Sequence, residues 1–491
     1  LGDVYKRQAI MMGNRFFTAF WNHRLGSRPP GKEAPMKIRP IKRLASLALG
    51  AALCLAQAGC SFSGLDAPNL MSPPRASLDQ QGIYELLQGD QQELTLVYPK
   101  RGDHRSAILM HDWSGDGVED AVGFVALDRG VEVRFLEKGQ DRWRAAASFG
   151  NTATQVDLVC FGDLNGDGAD DVIIGWGSAA GTTGRTASVS AYLYQEGNVT
   201  EYSLGTYGEL ALTDFDENGV YEVFTVDMYI AAEEEGTGDL PATAHVYAWQ
   251  EDTLREVHTA SADNSVTSYV SIQFGKLGRD LYGVVVDGAK ADGSMTTQVF
   301  TLQNGLLKND PAGVNTQSYQ NPFARPSSAI YTSQDINGDG LLELPVASLL
   351  PGLPEGVSLD STSYQVEWVS FQPPGASKTA LTALMNLGEN YWFRLPQGLL
   401  GKLSASNNTS TRTVTYTEVV TAEDSSQLLG SPLFAIRVFT RSAWDSRGTT
   451  SGYELLAQQG DLVYGIQTFT QDAAYLRAVA QVKRYFTVIQ E

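Results

Sequence analysis

The feature that most narrows the fold of this chain is a nine-residue pattern that occurs four times: DWSGDGVED at 112–120, DLNGDGADD at 163–171, DFDENGVYE at 214–222 and DINGDGLLE at 335–343. Oxygen-bearing side chains stand at positions 1, 3, 5 and 9 of each, with glycine at position 6. They are Asp112, Ser114, Asp116 and Asp120; Asp163, Asn165, Asp167 and Asp171; Asp214, Asp216, Asn218 and Glu222; and Asp335, Asn337, Asp339 and Glu343. Alternate residues of a tightly wound loop aim at one centre, and glycine permits the sharp turn. A hard divalent cation takes six to eight oxygens at about 2.3–2.6 Å. Three carboxylates per loop, one uncharged oxygen and the main-chain carbonyl of position 7 (Val118, Ala169, Val220 or Leu341) supply such a set. About four structural Ca²⁺ sites are therefore expected; Mg²⁺ demands a stricter octahedron and keeps more water.

The residues around the loops indicate the scaffold. β-forming runs lead in at 107–110, 156–161, 210–212 and 329–331, and lead out at 121–127, 172–176, 223–226 and 344–349, so each loop is expected to join two strands. An EF-hand needs a bidentate Glu at position 12 and a helix beyond it. Position 12 here is Gly123, Ile174, Thr225 and Val346, which excludes that motif, and dockerins on the same ground. Asp112, Asp163 and Asp214 are 51 residues apart, whereas 121 residues separate Asp214 from Asp335, enough for one more unit. FGKLG at 274–278 resembles FGDLN at 161–165, but it carries Lys276 in place of the first Asp and loses two residues before Val284. That unit is expected to be metal-free. Each unit has four candidate strands; in the second they are 156–161, 172–176, 187–194 and 199–204. Units of this length and content match propeller blades, which bury their faces by stacking around an axis.

On these residues the chain resembles the FG-GAP/VCBS repeats of integrin-α-like β-propellers of bacteria, whose Asp-x-Asn-Gly-Asp-Gly-x-x-Asp loops hold Ca²⁺. The expected fold is mainly β: a Ca-binding β-propeller at 81–384 with five visible blades, five to seven being possible, followed by a small α+β domain at 385–491. Residues 81–104, with a strand at 93–98, are expected to help close the ring. In the C-terminal domain, strands are expected at 391–395, 413–420, 433–440 and 462–469. A helix follows from Asp472, with Leu476, Val479, Phe486 and Ile489 on one face and Thr470 as its cap.

The N-terminal region reads as an address. Residues 1–35 are taken as an upstream, non-native segment. From Met36, a basic stretch (Lys37, Arg39, Lys42, Arg43) and a 13-residue apolar run at 44–56 lead to Gln57-Ala58-Gly59-Cys60. A run this short is a signal-peptide core rather than a membrane span. The small residues before Cys60 resemble a bacterial lipobox, differing at Gln57. That resemblance implies a signal peptide at 36–59, lipidation of Cys60, export, and anchoring at the cell membrane or surface. Residues 60–80, rich in Pro and Ser, read as a flexible tether.

Charge and motifs sort the functions. The net charge is −20, yet residues 1–59 hold ten Lys/Arg against two Asp/Glu, so the remainder carries −28. Such acidity opposes nucleic-acid binding, which needs a basic face. Cys160 is the one cysteine beyond Cys60 and reads as a small strand residue. His104, His111, His245 and His258 make no zinc spacing, and no nucleophile elbow, P-loop or dinucleotide fingerprint occurs. The tripeptide Arg101-Gly102-Asp103 reads as chance. No catalytic residue is assigned. The expectation is a lipid-anchored surface protein that binds a glycan, wall polymer or protein partner. Two alternatives stand beside it: an extracellular carbohydrate-active lyase or hydrolase, and an envelope-assembly factor that docks through its C-terminal domain.

Overall fold

The computed structural model describes residues 78–489, apart from 141, 178–186, 233–237, 311–320, 352–362, 373–375, 423–426 and 448–451. The expected leader, Cys60 and most of the expected tether lie outside the described residues. The chain is mainly β. Its sheets all lie within the compact unit Leu86–Glu491. Helix α1 (Leu78–Gln88) occupies the end of the expected tether. Arg134 Nη1 donates to the carbonyls of Leu86 and Leu87, closing the last turn of that helix. No helix among the described residues is long and apolar enough to cross a membrane.

Four four-stranded antiparallel sheets follow in chain order. The first is β1 (Ile108–His111), β2 (Asp120–Leu127), β3 (Gly130–Lys138) and β4 (Trp143–Asn151); the second is β5 (Gln155–Gly162), β6 (Asp171–Gly177), β7 (Ser188–Gln195) and β8 (Asn198–Thr206). The third is β9 (Glu209–Thr213), β10 (Glu222–Val226), β11 (Thr243–Gln250) and β12 (Thr253–Ser261); the fourth is β13 (Val266–Gly278), β14 (Leu281–Lys290), β15 (Met295–Gln303) and β16 (Leu306–Asn309). In the second, third and fourth sheets the last hairpin turns on two residues with positive φ: Glu196-Gly197, Glu251-Asp252 and Asn304-Gly305. Turns of that kind match the right-handed twist of the strands they join.

The fifth sheet departs from the pattern. It orders β17 (Glu343–Leu349), β18 (Tyr364–Gln372), β19 (Ala376–Asn386) and β20 (Tyr391–Arg394), and adds β26 (Phe486–Val488) from the chain's end. The expected lead-in at 329–331 is not a strand; the single bridge Gln334↔Glu343 replaces it. Ala329 and Tyr331 are buried, packing with Tyr364, Trp368 and Met385. Pro345 lies in β17, and a missing N–H suits a strand whose outer edge is unpaired. The segment expected as a strand at 93–98 likewise makes one bridge, Leu96↔Val125.

The sixth sheet orders β21 (Leu403–Asn408), β22 (Thr413–Thr421), β23 (Gln427–Thr440), β25 (Leu462–Thr468) and β24 (Glu454–Gln459). Helix α2 (Arg441–Arg447) follows β23, and α3 (Ala473–Arg484) follows β25. The expected boundary at 384/385 falls inside β19, and the strand expected to open the C-terminal domain pairs with β19 instead. Helix α3 also corrects the sequence reading. Asp472 rather than Thr470 is its cap, accepting from the N–H groups of Ala474 and Tyr475. The buried face is Ala478, Val479 and Val482; Leu476 is exposed, and Phe486 belongs to β26. Asp472→Ala is expected to cost about 1 kcal/mol, read as a shift in the denaturation midpoint.

Period-two alternation explains how the sheets share cores. In β6, Val172, Ile174 and Trp176 join residues of the first sheet, such as Phe124 and Phe135. Ile173, between them, joins Leu210 and Val223 of the third. Strand β10 repeats the division: Val223 faces the second sheet, and Phe224 with Val226 packs against Val284, Val286 and Phe300 of the fourth. Val285 and Val299 then meet Leu344, Val369 and Phe371 of the fifth. Central strands buried on both faces therefore read as unbroken apolar runs, each residue contributing about 1.5–3 kcal/mol by burial. The fifth and sixth sheets share an aromatic core of Tyr391, Phe393, Tyr416, Phe434 and Tyr464.

Candidate metal centres

All four nine-residue stretches are loops at the same junction, between the first and second strand of their sheets; in the fifth sheet the Gln334 bridge takes the first strand's place. Much of their internal bonding recurs in all four. The first Asp folds the loop over itself. Asp112 accepts from the N–H of Gly115 (2.9 Å) and Gly117 (2.8 Å), and Asp163 from Gly166 (2.6 Å) and Gly168 (2.9 Å). Asp214 accepts from Asn218 and Gly219 (both 3.0 Å), and Asp335 from Gly338 (2.7 Å) and Gly340 (2.9 Å). The side chain at position 5 accepts from the N–H of position 7: Asp116 from Val118, Asp167 from Ala169, Asn218 from Val220, and Asp339 from Leu341. Glycine at position 6 is required by geometry. Gly117, Gly168, Gly219 and Gly340 have φ of 86, 87, 83 and 85°, a region that a Cβ disfavours.

The acid at position 9 opens the second strand and is the deepest oxygen of each loop. Asp120 and Glu343 are fully buried, Asp171 is 3% exposed, and Glu222 is half-buried. Each reaches back to an early N–H of its own loop: Asp120 to Ser114, Asp171 to Leu164, Glu222 to Phe215 and Glu343 to Ile336. Burial pushes these carboxyls up, and the neighbouring loop acids add to the effect. Asp171 is raised to about 8, Glu222 and Glu343 to about 7, and Asp120 in the same direction. A buried carboxylate held above its usual range beside two further acids is what a cation would relieve.

The four loops are not equally gathered. In the last, ligand oxygens of Asp335, Asp339 and Glu343 lie within 4.8 Å of one another. Among the described residues it is the one group of three or more acidic, His or Cys side chains drawn that close. Asn337 Nδ2 donates to both Asp339 (3.0 Å) and Glu343 (3.0 Å), holding that set together. In the second loop Asn165 Nδ2 bridges to Asp167 (2.9 Å). The all-oxygen donor set, with three carboxylates, fits a hard cation. The fourth sheet has no such loop: Arg279-Asp280 joins β13 to β14, and the Lys276 ammonium lies 5.5 Å from the centre of the Tyr282 ring.

With no cation bound, these shifts give stability a defined pH dependence. The folded pKa of the position-9 acids exceeds the unfolded value near 4, so the folded state holds more protons between about pH 4 and 8. Stability then falls as pH rises through that window. The chelator-treated protein is expected to melt at a lower temperature at pH 8 than at pH 5.5; a rise would contradict the buried-acid account.

Several titratable groups outside the loops are engaged structurally. Arg101 bonds to Asp157 (2.8 Å) and to Glu209, and Tyr207 also donates to Asp157 (2.6 Å), so the Arg-Gly-Asp tripeptide has its arginine occupied. His111 stacks on Phe161 and pairs with Asp170, and His245 lies between Asp227 and Glu256. Burial pushes the Cys160 thiol up to about 12, which leaves it a poor nucleophile. What sequence reading missed is position 8 of the loops, where Asp170, Tyr221 and Leu342 reach the preceding unit; no shared residue type marks it. No family model matches the chain, and no curated protein matches it.

Proposed function

We propose that this protein is a calcium-stabilised β-propeller exported to the cell surface and anchored through a lipid on Cys60, where it binds a glycan, wall polymer or protein partner. The observation that carries the cation reading is the recurrence of one loop at one junction. Asp-rich ligand positions and positive-φ glycines coincide in four places, with a terminal acid that is buried in three of them and half-buried in the loop of Glu222. Support for a propeller comes from sheets that share cores in chain order; the five sheets are its blades, and the sixth sheet with α3 is a small α+β domain. In this reading Ca²⁺ is structural: it pins acidic loops that otherwise repel one another. A binding role is favoured over catalysis because most of the conspicuous acids are committed to the loops or to ion pairs.

Expression in a bacterial host tests the reading. The native chain should incorporate labelled palmitate and partition into detergent, and Cys60→Ala should lose both. On a glycan array, retention in Ca²⁺ and its loss in chelator supports the binding role. Release of new reducing or unsaturated sugar ends from a bound polysaccharide would instead move the assignment to a carbohydrate-active enzyme.

A further inference from the structure

Position 8 of three loops reaches the preceding unit. The N–H of Tyr221 donates to the carbonyl of Asp163 (2.7 Å), and the N–H of Leu342 to the carbonyl of Lys276 (2.8 Å). The residue before each receiving position is glycine, and it makes room. A Cβ on Gly162 would lie 2.9 Å from a methyl of Leu212 and 3.0 Å from the Tyr221 ring, and one on Gly275 would lie 2.9 Å from a methyl of Leu342. The first and second loops are joined differently, by His111 Nε2 and Asp170 Oδ2 at 2.9 Å.

The Tyr221 contact has a chemical consequence. Its N–H and the Val220 carbonyl belong to one peptide group. That carbonyl is the position-7 oxygen of the third loop, and the acceptor is the main chain of Asp163, the first ligand of the second. A cation on the Val220 carbonyl draws electron density from the peptide and makes its N–H a stronger donor. It also fixes the third loop, so the second loop binds with less ordering left to do. The matching peptide of the last loop, Leu341–Leu342, ends on Lys276, in a unit that has no loop.

We propose that the sites at Asp163–Asp171 and Asp214–Glu222 bind divalent cation with positive cooperativity through the Val220–Tyr221 peptide, while the site at Asp335–Glu343 binds independently. This rests on the cation reading above. Calorimetric titration with Ca²⁺ alone, on two double variants of the full chain, separates the two claims. Asp112→Ala/Asp335→Ala keeps the linked pair and should bind two ions, each favouring the other about fivefold or more, with a Hill coefficient above one. Asp112→Ala/Asp163→Ala keeps the third and last loops and should bind two ions with a coefficient of one. Adding Gly162→Ala to the first variant keeps every ligand but pushes on Leu212 and Tyr221 of the third unit, and should return its coefficient toward one. Two ions bound with a coefficient of one in both variants overturns the coupling and leaves the cation reading standing; no binding in either overturns both. Should a double variant fail to fold, Gly162→Ala alone in the native chain must flatten the titration without changing the number of ions, and an unchanged steepness refutes the coupling.

Discussion

Stripping Ca²⁺ is expected to lower the melting temperature by on the order of 10 °C. One site occupied at a hundred times its dissociation constant contributes about 2.7 kcal/mol, so four contribute about 11 kcal/mol. A folding unit of about 400 residues unfolds with an entropy near 0.8 kcal/mol/K, which converts that free energy to the stated shift. The effect should exceed that of removing a surface ion pair, because the acids at position 9 are buried: Asp120, Asp171 and Glu343 cannot move to water without opening their strands. Differential scanning calorimetry before and after chelation reads it. Ca²⁺ should restore the transition fully and Mg²⁺ only in part, since the smaller ion gives up its water reluctantly. A melting temperature that chelator leaves unchanged would mean that the loops hold themselves.

The second large effect is expected in the fourth sheet. Arg325 and Asp287 form an ion pair at 3.0 Å, with side chains 0% and 1% exposed. Asp287 also accepts from the Thr297 and Ser333 hydroxyls and from the Ser333 N–H (2.7 Å), and Arg325 donates to Thr297 Oγ1 and to the Phe323 carbonyl, both at 2.7 Å. The network fastens the segment leading to the last loop onto β14, where the fifth sheet has no first strand of its own. Arg325→Ala or Asp287→Ala leaves a buried charge without its partner and should cost about 3–5 kcal/mol. Arg325→Met/Asp287→Leu removes both charges and should cost much less than either single change, because no uncompensated ion remains. Denaturant midpoints of the three variants decide it; single changes costing under about 1 kcal/mol would show that water or a neighbour replaces the partner.

How much of this was legible in the sequence follows from which interactions are local. The loops are written in neighbouring residues: Asp163 bonds to Gly166 and Gly168, so spacing alone reveals them. Strands flanked by such loops were placed closely, as in the second sheet, where 156–161 and 172–176 became Gln155–Gly162 and Asp171–Gly177. Segments whose conformation depends on distant partners were not. Apolar residues at 329–331 look like a strand, yet Ala329 and Tyr331 pack across a sheet face while Ser333 is held by Asp287. Tyr391–Arg394 belongs to the fifth sheet because β19 and β26 flank it, and β26 arrives from the far end of the chain. Thr470 and Asp472 are both good helix caps by composition; the side chain of Thr470 is spent on the N–H of Asp472, which leaves Asp472 to cap α3. The buried Arg325–Asp287 pair spans 38 residues and carries no local signature.

The central claim is that the four loops are cation sites, and a Ca²⁺ titration of the metal-stripped protein by calorimetry tests it most directly. The account predicts about four ions bound per chain, with Asp112→Ala, Asp163→Ala, Asp214→Ala and Asp335→Ala each removing one while the protein stays folded. A chain that binds no Ca²⁺, or a set of variants that all bind as many ions as the native protein, would contradict it and reduce the loops to glycine-rich turns.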